Sequence, residues 1–208
     1  FKQKTAYDIG VRLVGSEMCI RDRCYQLGIK TIVKNRIQES EEKFSYFPGF
    51  EKIKKRFIGH LQTNKVNKCL NIFDTVDSVD SLKLANKVNK SSKNINKKTE
   101  CLIEVNTSSE PQKNGFSPKI TDELISCFSL TDLNIVGLMT VGPNTNNENN
   151  LRSAFILLRE LKHQINKELG SRVLTELSMG MTNDYEIAIQ EGSTMVRVGT
   201  ALFGARNY

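Results

Sequence analysis

Residues 173–200 read VLTELSMGMTNDYEIAIQEGSTMVRVGT, and this stretch decides the fold. Twice within it a short apolar run, at 173–177 and again at 194–198, has the length and residue types of a buried strand. The first run leads into Ser178-Met179-Gly180 and the second into Gly199-Thr200, and a helical pattern follows each directly. Moving outward toward the N-terminus, the same unit recurs, with strands expected at 29–33, 56–59, 72–76, 101–105 and 135–141. Helical segments with start signals lie between them: Asn35 with Gln38 three residues on, and Ser117 followed by Pro118 at a first helical position. The segment 149–169 is the clearest helix, with Leu151, Phe155, Leu158, Leu161 and Ile165 on one face and Gly170 at its end.

Regular strand–helix alternation implies parallel strands joined by crossover helices. The count separates a closed barrel from an open sheet. Seven visible units and one more upstream make eight, the number that closes a (β/α)8 TIM-type barrel, whereas a doubly wound sheet usually needs fewer. No Gly-x-Gly-x-x-Gly fingerprint favours the open sheet. The upstream region is anomalous: residues 5–23, TAYDIGVRLVGSEMCIRDR, resemble translated sequencing-adapter read-through. The expected organisation is therefore a non-native segment at 1–23, replacing the first strand, and one barrel domain at 24–208.

Composition narrows the class. With 208 residues, 38% hydrophobic and 25% charged, the chain suits one globular domain. It holds no apolar run near the roughly 20 residues of a membrane helix. Five cysteines, an odd number without a Cys-x-x-Cys pair, point to a reducing, cytoplasmic compartment. The formal charge of +7 raises the question of nucleic acid, but the lysines of 83–98 are scattered among asparagines and read as a solvated helix. Stacking aromatics are absent, so neither a nucleic-acid nor a membrane partner is expected.

Ligands of such barrels sit at the carboxyl ends of the strands, and phosphate commonly lies on the loops after strands seven and eight. Ser178 with Gly180, and Gly199 with Thr200, fall at those two places. Glycine lets a backbone approach an anion, and helix N-termini attract one; the same residue types also serve simply as helix caps. Arg197 lies one step inside an otherwise apolar strand, where a charge is costly unless paired, so it answers either a carboxylate such as Glu176 or a ligand. Asn35 and His60 end earlier strands and are expected at the barrel mouth, as caps or as contacts. No hydrolytic triad is visible, and with His60 and His163 as the only histidines no metal site is expected.

Four stretches carry a family resemblance. Phe57-Ile58-Gly59-His60-Leu61-Gln62-Thr63-Asn64-Lys65, Gly137-Leu138-Met139-Thr140, the run from Leu177 to Tyr185 and the run from Glu191 to Gly204 closely resemble the pyridoxal phosphate homeostasis protein family. The resemblance covers about 28–208. It implies a barrel like the N-terminal domain of alanine racemase, with pyridoxal 5'-phosphate at the strand ends. By the family pattern Ser178, Gly199 and Thr200 would hold the phosphate, Arg197 would approach the pyridine nitrogen, Asn35 would lie beside the ring, and His60, Met139 and Met179 would line the pocket. The family's Schiff-base lysine belongs to the first strand, which here corresponds to Leu13 to Met18 and holds no lysine. The family's Phe-Gly-Glu-Asn appears as Ile32-Val33-Lys34-Asn35, with the charge beside the asparagine reversed. Lys113 matches a loop lysine and reads as solvated.

The resemblance implies a monomeric carrier that buffers vitamin B6 and hands it to pyridoxal-phosphate-dependent apoenzymes, without turnover of its own. The alternative is an amino-acid racemase on the same barrel. Racemases add a further domain that supplies a second acid or base, and a chain running only to Tyr208 is expected to lack it.

Overall fold

The computed structural model describes residues 27–44, 52–171 and 173–204. The adapter-like segment and the expected first strand lie outside the described residues. Seven strands form one sheet: β1 Thr31–Lys34, β2 Lys54–Phe57, β3 Thr75–Val79, β4 Thr99–Glu104, β5 Leu133–Met139, β6 Glu176–Met181 and β7 Met195–Arg197. Each pairs in parallel with the next in chain order. Every connection is thus a crossover, and the sheet curls into a nearly closed barrel. Among the described residues β1 and β7 are its two edges. The helices are α1 Ile37–Phe44, α2 Val66–Ile72, α3 Leu82–Asn94, α4 Asp122–Ser126, α5 Glu148–Glu168, α6 Tyr185–Gln190 and α7 Thr200–Phe203. None of the described helices is long and apolar enough to cross a membrane.

All seven expected strands form, with shifted ends. The third begins at Thr75 rather than residue 72, because Ile72 closes α2 and Phe73 turns into the core. Helix α5 starts where its periodicity predicts, since the Asn147 side chain accepts hydrogen bonds from the Asn149 and Asn150 amides. The start expected at Ser117-Pro118 does not form. The Phe116 amide donates to Glu104 O and Phe116 bridges Val105, so the chain stays extended there. The helix begins only after Thr121, whose hydroxyl accepts from the Leu124 amide.

Parallel strands in a barrel are covered on both faces, so neighbouring residues serve different layers. Phe57, Val76, Ile103, Leu138, Leu177 and Met179 join the apolar layer between sheet and helices, with Phe73, Leu84, Phe155 and Leu158 opposite. Their chain neighbours Arg56, Asp77, Leu102, Glu104, Met139 and Ser178 therefore face the lumen. Two of these form a bidentate ion pair: Arg56 Nε to Asp77 Oδ2 at 2.7 Å and Nη2 to Oδ1 at 3.0 Å. Both side chains are buried. Thr75 Oγ1 donates to Asp77 at 2.9 Å, and Arg56 Nη1 and Lys54 both donate to Glu100. Burial alone would raise the Glu100 carboxyl, but Lys54 and Arg56 together hold it below the usual carboxylate range. Higher in the lumen, burial and then the Asp80 carboxylate push the Glu104 carboxyl up to about 7, against the pull of Arg197.

Two expectations follow from this polar lumen. Asp77→Ala strips the carboxylate from a buried guanidinium and should cost about 3–5 kcal/mol in denaturant unfolding, whereas joint replacement of Arg56 and Asp77 by apolar residues should cost far less. Equal losses in the two variants would contradict this account. For Glu104 the folded value of about 7 exceeds the unfolded one, so its stability contribution is full below about pH 4 and declines as pH rises through about 7. Glu104→Gln removes that decline. The stability gap between the two proteins should change by on the order of 3 kcal/mol between about pH 4 and about pH 8, and parallel pH profiles would refute it.

Candidate functional site

The carboxyl ends of the strands open into a cavity of about 1530 Å³. One wall is β1 with Asn35, the other is β7 with α7, and the loops after β5 and β6 close the top.

Local geometry explains why these loops sit where they do. Gly59 follows β2, and a Cβ there would run into the backbone carbonyl of Asn35, so only glycine lets the turn after β1 lie against the turn after β2. Gly180 has φ +93°, and a Cβ would lie 2.6 Å from Ala188 Cβ, which keeps β6 against α6. Asp184 Oδ1 accepts from the Met181 amide at 2.6 Å and holds the turn after β6. Lys113 is not the solvated loop residue its sequence context predicts. Its Nζ donates to Glu110 Oε1 at 2.8 Å and to Gly142 O at 2.7 Å, tying the loop after β4 to the loop after β5.

Of the eight residues singled out from the sequence, Asn35, Arg197, Gly199 and Thr200 line this one cavity. The other four do not. Met179 packs between sheet and helices, because it is one residue from lumen-facing Ser178 and so points the opposite way. Met139 is fully buried within the barrel. His60 stands half-exposed on the rim, its Nδ1 3.1 Å from Asp80 Oδ2. Ser178 is fully buried and accepts from Arg197 Nη1 at 2.7 Å.

Arg197 is the centre of the arrangement. It is 6% exposed, and its second amino group donates to Thr140 O at 2.7 Å. Thr140 in turn donates its hydroxyl to Val105 O and meets the Thr107 hydroxyl at 2.9 Å, so a buried polar chain links the ends of β4 to β7. Burial depresses the Arg197 guanidinium, opposed by Asp77, Asp184 and Glu104 at longer range. Of the two sequence alternatives for this residue, a direct pair with Glu176 does not form: Glu176 accepts from Thr194 instead.

Thr182 was not singled out from the sequence. It lines the cavity beside Gly199 and Thr200, and its Oγ1 accepts from the Ala201 amide at 3.4 Å. The only sequence signal was a hydroxyl two residues beyond Gly180. The wall formed by Thr182, Gly199 and Thr200 suits an anion: it offers two hydroxyls and the Thr200 amide at the start of α7, and the space beside the Gly199 Cα is open. Lys34 and Lys113 line the same cavity. No group of His, Cys, Asp and Glu able to hold a metal occurs among the described residues.

Known proteins share this architecture. The model of the alanine racemase N-terminal domain matches residues 25–207. A pyridoxal phosphate homeostasis protein of Aquifex aeolicus (strain VF5) is 38% identical over 185 residues, covering 88% of this chain and 80% of the relative. PipY of Synechococcus elongatus PCC7942, solved without PLP, superposes with a TM-score of 0.82 at 29% identity, over 89% of this chain and 87% of PipY. PipY with PLP bound gives 0.77. Alanine racemase of Clostridium difficile 630, at 15% identity and a TM-score of 0.72, shares the fold over 89% of this chain and 47% of its own. This seven-strand parallel barrel, matched by the family over residues 25–207 and by the relative over 185 residues, thus belongs to the alanine racemase N-terminal domain family and, within it, to the pyridoxal phosphate homeostasis proteins.

Proposed function

We propose that this chain binds pyridoxal 5'-phosphate at the strand ends and serves vitamin B6 homeostasis by holding and releasing it, without turnover of its own. The observation that carries the reading is the convergence of Thr182, Gly199 and Thr200 with buried Arg197 on one cavity. The names of the relatives and the PLP-bound state of PipY support it. Bound pyridoxal phosphate would bring an anionic phosphate, a pyridine nitrogen and a reactive aldehyde.

In this reading Gly199, Thr200 and Thr182 hold the phosphate through amides and hydroxyls, which donate to an anion without carrying a competing charge. Arg197 faces the pyridine nitrogen. A guanidinium stays protonated even when buried, so it does not give the nitrogen a proton and favours the unprotonated ring. That property suits storage of the cofactor better than amino-acid chemistry, which gains from a protonated ring acting as electron sink. Ser178 fixes Arg197 in place rather than touching phosphate, and Asn35 flanks the ring. Met139 and Met179 support from within the packed layers, and His60 stands at the rim. Delivery to pyridoxal-phosphate-dependent apoenzymes follows from reversible binding. A cytoplasmic setting agrees with Cys69, Cys101 and Cys127, which are buried and unbridged.

Thr200→Glu places a carboxylate where the phosphate sits. Titration with pyridoxal phosphate should show at least about tenfold weaker binding, ~1.4 kcal/mol, in a protein whose circular dichroism is unchanged. Equal affinity in the folded variant removes the cradle. Incubation with L-alanine and separation of enantiomers should give no exchange above free cofactor, and an enzyme-dependent rate lost in Arg197→Ala would establish the racemase instead.

A further inference from the structure

Resting on that cofactor reading, we propose that Glu104 takes up a proton as the phosphate ester binds, so that the site holds its ligand below neutral pH and releases it as pH rises through neutrality. The geometry begins with strand alternation. Cys101, Ile103 and Val105 join the layer between sheet and helices, so Glu104 points into the lumen. Its register partner on β5 is Met139, whose own partner on β6 is Ser178, and Ser178 accepts from Arg197. Glu104 and Arg197 thus share one layer of the barrel interior, and Arg197 also lines the cavity.

Glu104 differs from the neighbouring carboxylates in what answers it. Asp77 is met by Arg56 and Thr75, Asp80 by Ser81 and by His60 on the rim, and Asp184 by the Met181 amide. Among the described residues none donates a hydrogen bond to the Glu104 carboxyl. Burial first, then Asp80 just beyond β3, keep that carboxyl at about 7, and Arg197 from β7 pulls the other way. The remaining groups around it are neutral or committed: Met139 and Ser178 carry no charge, Arg56 is bound to Asp77 and Glu100, and Lys113 of the loop after β4 is bound to Glu110.

A phosphate ester changes this balance, because it brings about −1.5 to −2 charges near neutrality. On the wall of Thr182, Gly199 and Thr200 it competes with Glu104 for the field of the same buried guanidinium and adds repulsion across a lumen of low dielectric. Both effects disfavour the ionised carboxyl, and by reciprocity the ionised carboxyl disfavours the ligand. Well below pH 7 Glu104 is already protonated and the coupling is silent. Well above it the ligand either bears the repulsion or binds together with a proton from water, and no other bond changes.

Equilibrium dialysis measures pyridoxine 5'-phosphate, which has the ring and phosphate but no aldehyde, on the full chain, on Glu104→Gln and on His60→Gln. The ligand's own titration is common to all three. If binding moves the Glu104 carboxyl up by about one unit, the affinity of the unaltered chain falls about fivefold relative to Glu104→Gln between about pH 6 and about pH 8. His60→Gln, the control for the rim histidine, behaves as the unaltered chain. Infrared difference spectra of the unaltered chain supply a readout that needs no variant: adding the ligand near neutral pH should convert a carboxylate to a carboxylic acid. Parallel pH curves for the unaltered chain and Glu104→Gln, a pH effect abolished by His60→Gln instead, or no gain of carboxylic acid overturns the proposal and leaves the cofactor site standing. If the ligand binds none of the three proteins at any pH, both readings fall together.

Discussion

Two guanidiniums inside a parallel barrel set the conditions that the rest of the structure meets. A buried arginine is tolerable only when its five N–H groups find acceptors and its charge finds an answer. Arg56 is met by a full carboxylate, Asp77, with Glu100 beyond it. Arg197 is met by neutral acceptors, Ser178 and the Thr140 carbonyl, with acids only at longer range. The first arrangement closes the lumen near the strand starts. The second leaves a buried cation with its direct contacts uncharged at the end where the cavity opens.

The supporting loops are fixed by a few bonds of high consequence. Lys113 ties two loops together, Asp184 holds the turn after β6, and Glu191 accepts from both Arg152 and Arg159 of α5 at 2.6 Å, anchoring the turn that leads into β7. Ser193 then donates to Met179 O at 2.7 Å. The position of Arg197 therefore depends on residues distant from the cavity. The β1 side is bounded differently, by a strand that among the described residues forms one edge of the sheet and leads into Asn35.

Strand number, strand order and the helices were legible in the sequence, because alternation of apolar runs with amphipathic segments leaves few topologies. Strand ends were less so. Residues 72–73 look like the start of a strand but complete a helix and its exit, and Ser117-Pro118 lost to an extended pairing of Phe116 with β4. Local caps compete with ladder hydrogen bonds, and sequence does not reveal which partner is within reach.

For the site, the sequence by itself determined which strand ends carry glycine, hydroxyl and arginine, and through them the family. Only the tertiary structure decided their roles. Strand alternation is a local rule, yet which side of a strand is lumen is set by the closed sheet, and this sends Ser178 inward to Arg197 and Met179 outward to the helices. Thr182 gains meaning only from residues far off in the chain, because a cavity is a property of loops brought together by barrel closure rather than of any one segment.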